Sequence, residues 1–234
     1  MNEIGKKVTV DLYLVQMKWV AWYLPIVYVC YFAIVWFLNE PEIRSISLLT
    51  FTFQTATIFM LVCGIISSSA FLRMYIKHGV TRKSYFQGAL ISSIGLAITI
   101  IGITAILTWV ISLLKMNLLT EVVLSPLGIN SWLLTSISYF IVIMIYFLTG
   151  WLIGLGFLRY GGSGGFVSIV IALIIVSLND LLWAFNTPKP IMGLLNLNIP
   201  VPHVAIAIVG SIVIAVISTI IVHEIVKETP IKIG

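Results

Sequence analysis

Charge is scarce in this sequence. Asp, Glu, Lys and Arg make up 9% of its 234 residues, apolar residues make up 60%, and mean hydropathy reaches +1.14. A soluble domain carries roughly 25% charged residues, and no water-exposed fold can hide so large an excess of apolar surface, so a soluble enzyme or binding module is excluded. Cysteine is nearly missing as well. Cys30 and Cys63 sit inside apolar runs, where they read as small packing residues, and no disulfide framework is indicated. The three histidines, His78, His203 and His223, form no H-x-x-x-H pair and have no cysteine nearby, which argues against a metal site. A phosphate-cradling loop needs G-x-x-x-x-G-K-[ST], and Gly5-Lys6-Lys7 fails at its last position. The chain is therefore not expected to be an ATPase or to bind a cofactor by itself.

What the sequence has instead is apolar runs of membrane length. About twenty helical residues cross the roughly 30 Å of hydrocarbon in a bilayer, and a helix satisfies its own backbone polar groups there. Six runs have that length: 19–38, 48–72, 88–114, 132–158, 166–185 and 204–222. They predict an all-α polytopic membrane protein with a single transmembrane domain over 1–234, and they lack the ten-residue alternation of a transmembrane barrel. Lys and Arg set the orientation. With the N-terminus inside, the inner segments hold Lys6, Lys7, Lys18, Arg73, Lys77, Arg82, Lys83, Arg159, Lys227 and Lys232, and the outer ones Arg44, Lys115 and Lys189; ten against three predicts both termini inside. Trp19, Trp22 and Trp151 near the inner face, and Trp36, Trp109, Trp132 and Trp183 near the outer, predict an aromatic belt. The polar N-terminal segment carries no A-x-A site behind a short apolar region, so cleavage of a leader is not expected.

Residues 1–18 form an amphipathic pattern. Ile4, Val8, Leu12, Val15 and Trp19 recur at helical steps while Lys6, Lys7, Asp11 and Lys18 fall elsewhere on the wheel. The pattern predicts a helix lying in the inner interface, as an anchor or as an elbow against a partner. Between the second and third runs, 73–87 concentrates four of the ten inner positive charges. A helix over Arg73 to His78 would end at Gly79 in a left-handed cap, and Thr81 would cap the next helix. By residue type alone, this stretch is also what inner-leaflet phospholipid contact requires. The other inner connection, 159–165, reads as a short flexible linker.

The run His78-Gly79-Val80-Thr81-Arg82-Lys83-Ser84-Tyr85-Phe86-Gln87-Gly88 resembles the cytoplasmic connection of type-two ATP-binding-cassette permeases, whose small Gram-positive members carry a Gly-(Val/Ile)-(Thr/Ser)-Arg-(Lys/Arg)-x-(Tyr/Phe)-Phe-x-Gly pattern there. The amphipathic N-terminus, the short outer loops and the chain length also agree with that family. The resemblance implies the transmembrane subunit of an exporter in a bacterial plasma membrane. Two permease chains, identical or related, would pair with two copies of a separate ATPase that holds ATP and Mg. It implies further that Arg73, Lys77, Gly79, Val80, Thr81, Arg82, Lys83, Tyr85 and Phe86 form the coupling segment that docks on the ATPase, and that the cargo is an amphipathic or antimicrobial peptide.

Within the runs, Thr50, Gln54 and Thr57 share one helical face, which reads as interhelical hydrogen bonding or as the lining of a transport path. Gly88, Ser92, Gly95, Thr99 and Gly102 form a small-residue stripe, and Gly150 with Gly154 forms a GxxxG pair, both suited to close helix packing. Asp180 is the one acid inside or bordering a run beyond the termini. Pro188, Pro190, Pro200 and Pro202 forbid a single helix in the last outer loop, which either dips back into the membrane or packs on its surface. Two other classes stay open at this point. One is an ion-gradient-driven transporter, which usually shows acids near the bilayer centre; the other is a non-transporting scaffold or sensor.

Overall fold

The computed structural model describes residues 3–38, 47–113, 132–183 and 203–229, which form an all-helical bundle with no strand among them. Helix α1 spans Glu3–Leu38 and α2 spans Leu48–Ile66. A π-helical turn at Ser67–Phe71 leads into the short α3, Leu72–Lys77; α4 covers Arg82–Leu113, α5 Trp132–Trp183 and α6 Val204–Glu228. Five helical stretches are long and apolar enough to cross a membrane.

Helix α5 has 52 residues, about 78 Å as a straight rod at 1.5 Å per residue. It is not straight. Gly161 adopts φ 71°, ψ −153°, a conformation that glycine reaches without a side-chain clash. Across it, the Ser168 hydroxyl donates to the Ile153 carbonyl at 3.4 Å. Fifteen residues of unbroken helix would hold those groups about 22 Å apart, so the chain reverses at Gly161 and the two halves lie antiparallel. These halves hold the fourth and fifth apolar runs, and the 159–165 connection is their tight reversal.

The N-terminal amphipathic segment and the first apolar run are one continuous helix of 36 residues, passing through Pro25. Its apolar stripe meets protein: Val8 and Leu12 are buried, and a Cβ added at Gly88 of α4 would fall 2.7 Å from the Val8 side chain. Further along, the hydroxyls of Tyr13 and Thr99 lie 2.8 Å apart and those of Tyr28 and Thr104 2.9 Å apart, so α1 and α4 run side by side in the same direction. The small-residue stripe of α4 is the floor of this contact except at Gly102, which has open space beside it.

The tightest packing joins α2 to the first half of α5. A Cβ at Gly150 would lie 2.0 Å from the Leu61 carbonyl oxygen, one at Gly64 would lie 2.1 Å from the Phe147 carbonyl oxygen, and one at Gly154 would lie 1.9 Å from Ser68 Oγ. Three glycines thus let two backbones touch. Helix α6 closes the bundle against the second half of α5. There Trp183 Nε1 donates to Ser211 Oγ at 2.7 Å, and that hydroxyl donates to Asn179 Oδ1 at 3.0 Å.

The expected aromatic belt needs a correction. Trp151 and Trp183 are fully buried, packed between helices where an interface anchor would be half in water; Trp22, Trp36 and Trp109 are exposed as a belt requires. The Trp132 side chain, Arg44, Lys115, Lys189, Lys232 and the proline-bearing outer loop lie outside the described residues, apart from His203, whose ring accepts from the Ala205 amide at the start of α6.

The glycine contact yields a prediction. Gly150→Leu should lower stability by at least about 1–3 kcal/mol, because no rotamer removes a Cβ clash with backbone. Gly102→Leu, facing open space, should be near neutral. Thermal unfolding of both variants in detergent checks this.

Candidate functional site

The contacts at one end of the bundle gather residues distant in sequence: the start of α1, the turn from α2 through α3 to α4, the Gly161 reversal and the end of α6. Among the described residues, Lys6, Lys7, Lys18, Arg73, Lys77, Arg82, Lys83, Arg159 and Lys227 belong to these segments.

The basic turn is built from backbone rules. Gly79 holds φ 83°, its amide donates to the Ile76 carbonyl at 3.0 Å, and the Val80 amide donates to the Tyr75 carbonyl at 3.0 Å. Together these two bonds form the Schellman closure that stops α3. Thr81 then caps α4, its hydroxyl oxygen accepting from the Ser84 amide at 3.2 Å and donating to Ser84 Oγ at 2.8 Å. Arg73, Lys77, His78, Gly79, Thr81 and Lys83 are exposed, and Val80 is half-buried.

Beneath this exposed tip lies an aromatic root. The hydroxyl of buried Tyr75 donates to the Asp11 carboxylate of α1. Burial, reinforced by that carboxylate, pushes the phenol above its ordinary range. Tyr85, fully buried, donates to the Ser67 carbonyl at 2.5 Å. That carbonyl also accepts from the Leu72 amide that closes the π-helical turn. Ser67 Oγ accepts from the buried Gln16 amide at 3.2 Å, whose oxygen accepts from Ser92 Oγ at 3.3 Å. Phe86 stacks on Trp151 at 5.4 Å and against His223 at 4.7 Å between centroids.

Arg82 differs from its basic neighbours. It is half-buried, and its guanidinium donates to the Lys227 carbonyl at 2.5 Å, satisfying an end group of α6. Arg159 pairs with Glu228 at 2.7 Å. The end of α6 is thus tied to the basic turn and to the Gly161 reversal.

The structure disperses the other candidate face. Thr50 Oγ1 lies 2.9 Å from Ser47 Oγ and 3.1 Å from the Tyr139 hydroxyl, and Thr57 donates to its own helix at the Gln54 carbonyl, 2.7 Å. Gln54 alone is exposed, with no side-chain partner among the described residues. Sequence reasoning missed the Asp11–Tyr75 and Gln16–Ser67 pairs, whose partners lie 64 and 51 residues apart. It also took the G-x-S-x-G pattern of a hydrolase elbow to be absent, whereas Gly161-Gly162-Ser163-Gly164-Gly165 has those letters. Ser163 sits exposed at a helix–helix reversal and not at a strand-to-helix turn, with no histidine or acid hydrogen-bonded to it among the described residues. Among the described residues no group of three His, Cys, Asp or Glu side chains is placed to hold a metal.

These features define a class, an all-helical protein whose apolar helices are compatible with a membrane and whose basic end is internally braced. No known family model, curated protein or solved structure matches this chain.

The left-handed Gly79 yields a prediction free of packing effects, because open space surrounds it. Gly79→Ala should cost about 1–2 kcal/mol through backbone strain alone, whereas Gly162→Ala, also in open space, should not. Equilibrium unfolding in mixed micelles distinguishes them.

Proposed function

We propose that this chain is the transmembrane permease subunit of an ATP-binding-cassette exporter, crossing a bacterial plasma membrane six times with both termini in the cytoplasm. The six crossings are α1, α2, α4, the two halves of α5, and α6. The excess of Lys and Arg at the braced end supports its cytoplasmic placement. The chain acts with a separate ATPase, present in two copies with ATP and Mg, and the cargo is an amphipathic or antimicrobial peptide.

The observation that carries this reading is the mounting of the basic turn. Docking on a motor needs an exposed tip that a partner can grip and a root that transmits the push. Arg73, Lys77 and Lys83 supply exposed charge, while Tyr75, Tyr85 and Phe86 are buried and bonded or stacked to α1, the π-helical turn, α5 and α6. A movement of the tip would therefore reach four elements together. A surface that only attracts anionic lipid has no need of such a root.

Arg82, in this reading, braces α6, and Gly79, Val80 and Thr81 set the shape of the turn. The expected outcome is measurable with a candidate ATP-binding-cassette ATPase, one that carries the G-x-x-x-x-G-K-[ST] loop this chain lacks, reconstituted with it in lipid vesicles. Arg73→Glu/Lys77→Glu/Lys83→Glu should bind that ATPase at least tenfold more weakly and lose the chain's effect on ATP hydrolysis, with unchanged unfolding temperature. Unchanged binding and hydrolysis for this triple variant would remove the coupling role, and no association of the wild-type chain would remove the exporter reading.

A further inference from the structure

Every acid among the described residues has a partner except one. Glu3 pairs with Lys6, Asp11 accepts from Tyr75, Glu224 pairs with Lys227 and Glu228 with Arg159. Asp180, half-buried in the second half of α5, has neither an ion pair nor a hydrogen bond among those residues. It stands 19 residues beyond Gly161, about 28 Å along the helix, and so at the end of the bundle opposite the basic turn. Every Lys and Arg among the described residues belongs to the basic end, which leaves this carboxylate without a described counter-ion.

Tyr146, half-buried on the first half of α5, is close enough to Asp180 to interact with it electrostatically, and its hydroxyl has no hydrogen-bond partner among the described residues. Asn179, the adjoining residue, does not serve the carboxylate: it is turned to α6, where its Oδ1 accepts from Ser211 Oγ at 3.0 Å. Val176 and Leu173, four and seven residues before Asp180, continue its face towards the middle of the helix; Val176 is half-buried and Leu173 is 48% exposed.

A carboxylate in or beside hydrocarbon is costly until a cation meets it. A metal ion would need several oxygen ligands, and no group of three His, Cys, Asp or Glu side chains is placed to hold one among the described residues. An organic ammonium asks for less. One carboxylate balances its charge, a phenol adds an acceptor oxygen and an aromatic ring, and an apolar stripe receives the stem that carries it. We infer that Asp180 and Tyr146 form a binding site for the primary ammonium group of a membrane amphiphile, whose alkyl stem lies along Val176 and Leu173. The site does not depend on the exporter reading; under that reading it narrows the cargo to cationic amphiphiles.

Photolabelling of the full chain in phosphatidylcholine nanodiscs tests this. The probe is dodecylamine with a diazirine on its chain, and the control is the matching dodecanol. The amine should label 170–183 about tenfold more than the alcohol, the effect of a hydrogen bond to a charged group. Asp180→Asn should bring the amine down to the level of the alcohol with an unchanged unfolding temperature, and Asp180→Glu should restore it. Equal labelling by amine and alcohol in the wild-type chain would overturn the site, and that comparison needs no variant to fold. Undiminished amine labelling of Asp180→Asn would overturn the role of the carboxylate. Phosphatidylethanolamine added to the nanodiscs separates the two sources of such an ammonium: suppressed labelling assigns the site to an aminophospholipid headgroup, and persistent labelling to a free amphiphile. Because no ATPase is present, none of these outcomes bears on the exporter reading.

Discussion

The backbone contact between α2 and the first half of α5 is the constraint on which the rest of the bundle depends. Between membrane helices, lipid removes the hydrophobic drive that water supplies, and association relies on close packing. Gly64, Gly150 and Gly154 provide it by leaving nothing between the two backbones. That closeness places Trp151 directly beneath Phe86 and edge-on to Tyr85, with ring centroids 5.4 and 6.5 Å away. The basic turn is therefore seated by glycines that it never touches.

Polar side chains inside the bundle follow one rule with two solutions. Some bond back to their own helix, as Thr104 does to the Ile100 carbonyl at 2.8 Å and Thr149 to the Ile145 carbonyl at 2.7 Å. Others bridge helices, as Tyr13, Tyr23 and Tyr28 do through threonine hydroxyls. The second group fixes α1 against α4 and α2 in a definite register, because a hydrogen bond tolerates far less sliding than apolar contact does. Trp151 Nε1 and Asn179 Nδ2, both buried without a partner among the described residues, are exceptions.

Much of this was legible in the sequence because helical periodicity and membrane length are local properties. The apolar runs, the Gly79 turn and the Thr81 cap can each be read within a few neighbouring residues. The stripe from Gly88 to Thr99 announced a close helix contact, though not that α1 would fill it. Trp151 and Trp183 misled because a tryptophan near the end of an apolar run has the same neighbours whether it faces headgroups or another helix. The polar pairs beneath the basic turn were hidden for a related reason: Asp11 and Gln16 acquire their meaning only when α1 lies along α4. Arg82 looked like its neighbours by type, and only the location of the end of α6 separates it from Arg73, Lys77 and Lys83.

The π-helical turn at Ser67–Phe71 sets the phase of everything that follows it. Beyond it Leu72 and Tyr75 are buried, and Met74 is 44% exposed. A π-helical turn holds about one residue more than an α-helical one, which rotates what lies beyond it by about 100°. The direction in which Arg73 and Lys77 face is thus set four to ten residues upstream, in a turn that begins with a serine triplet. Helical phase, more than the basic residues themselves, decides which way this end of the protein presents its charge.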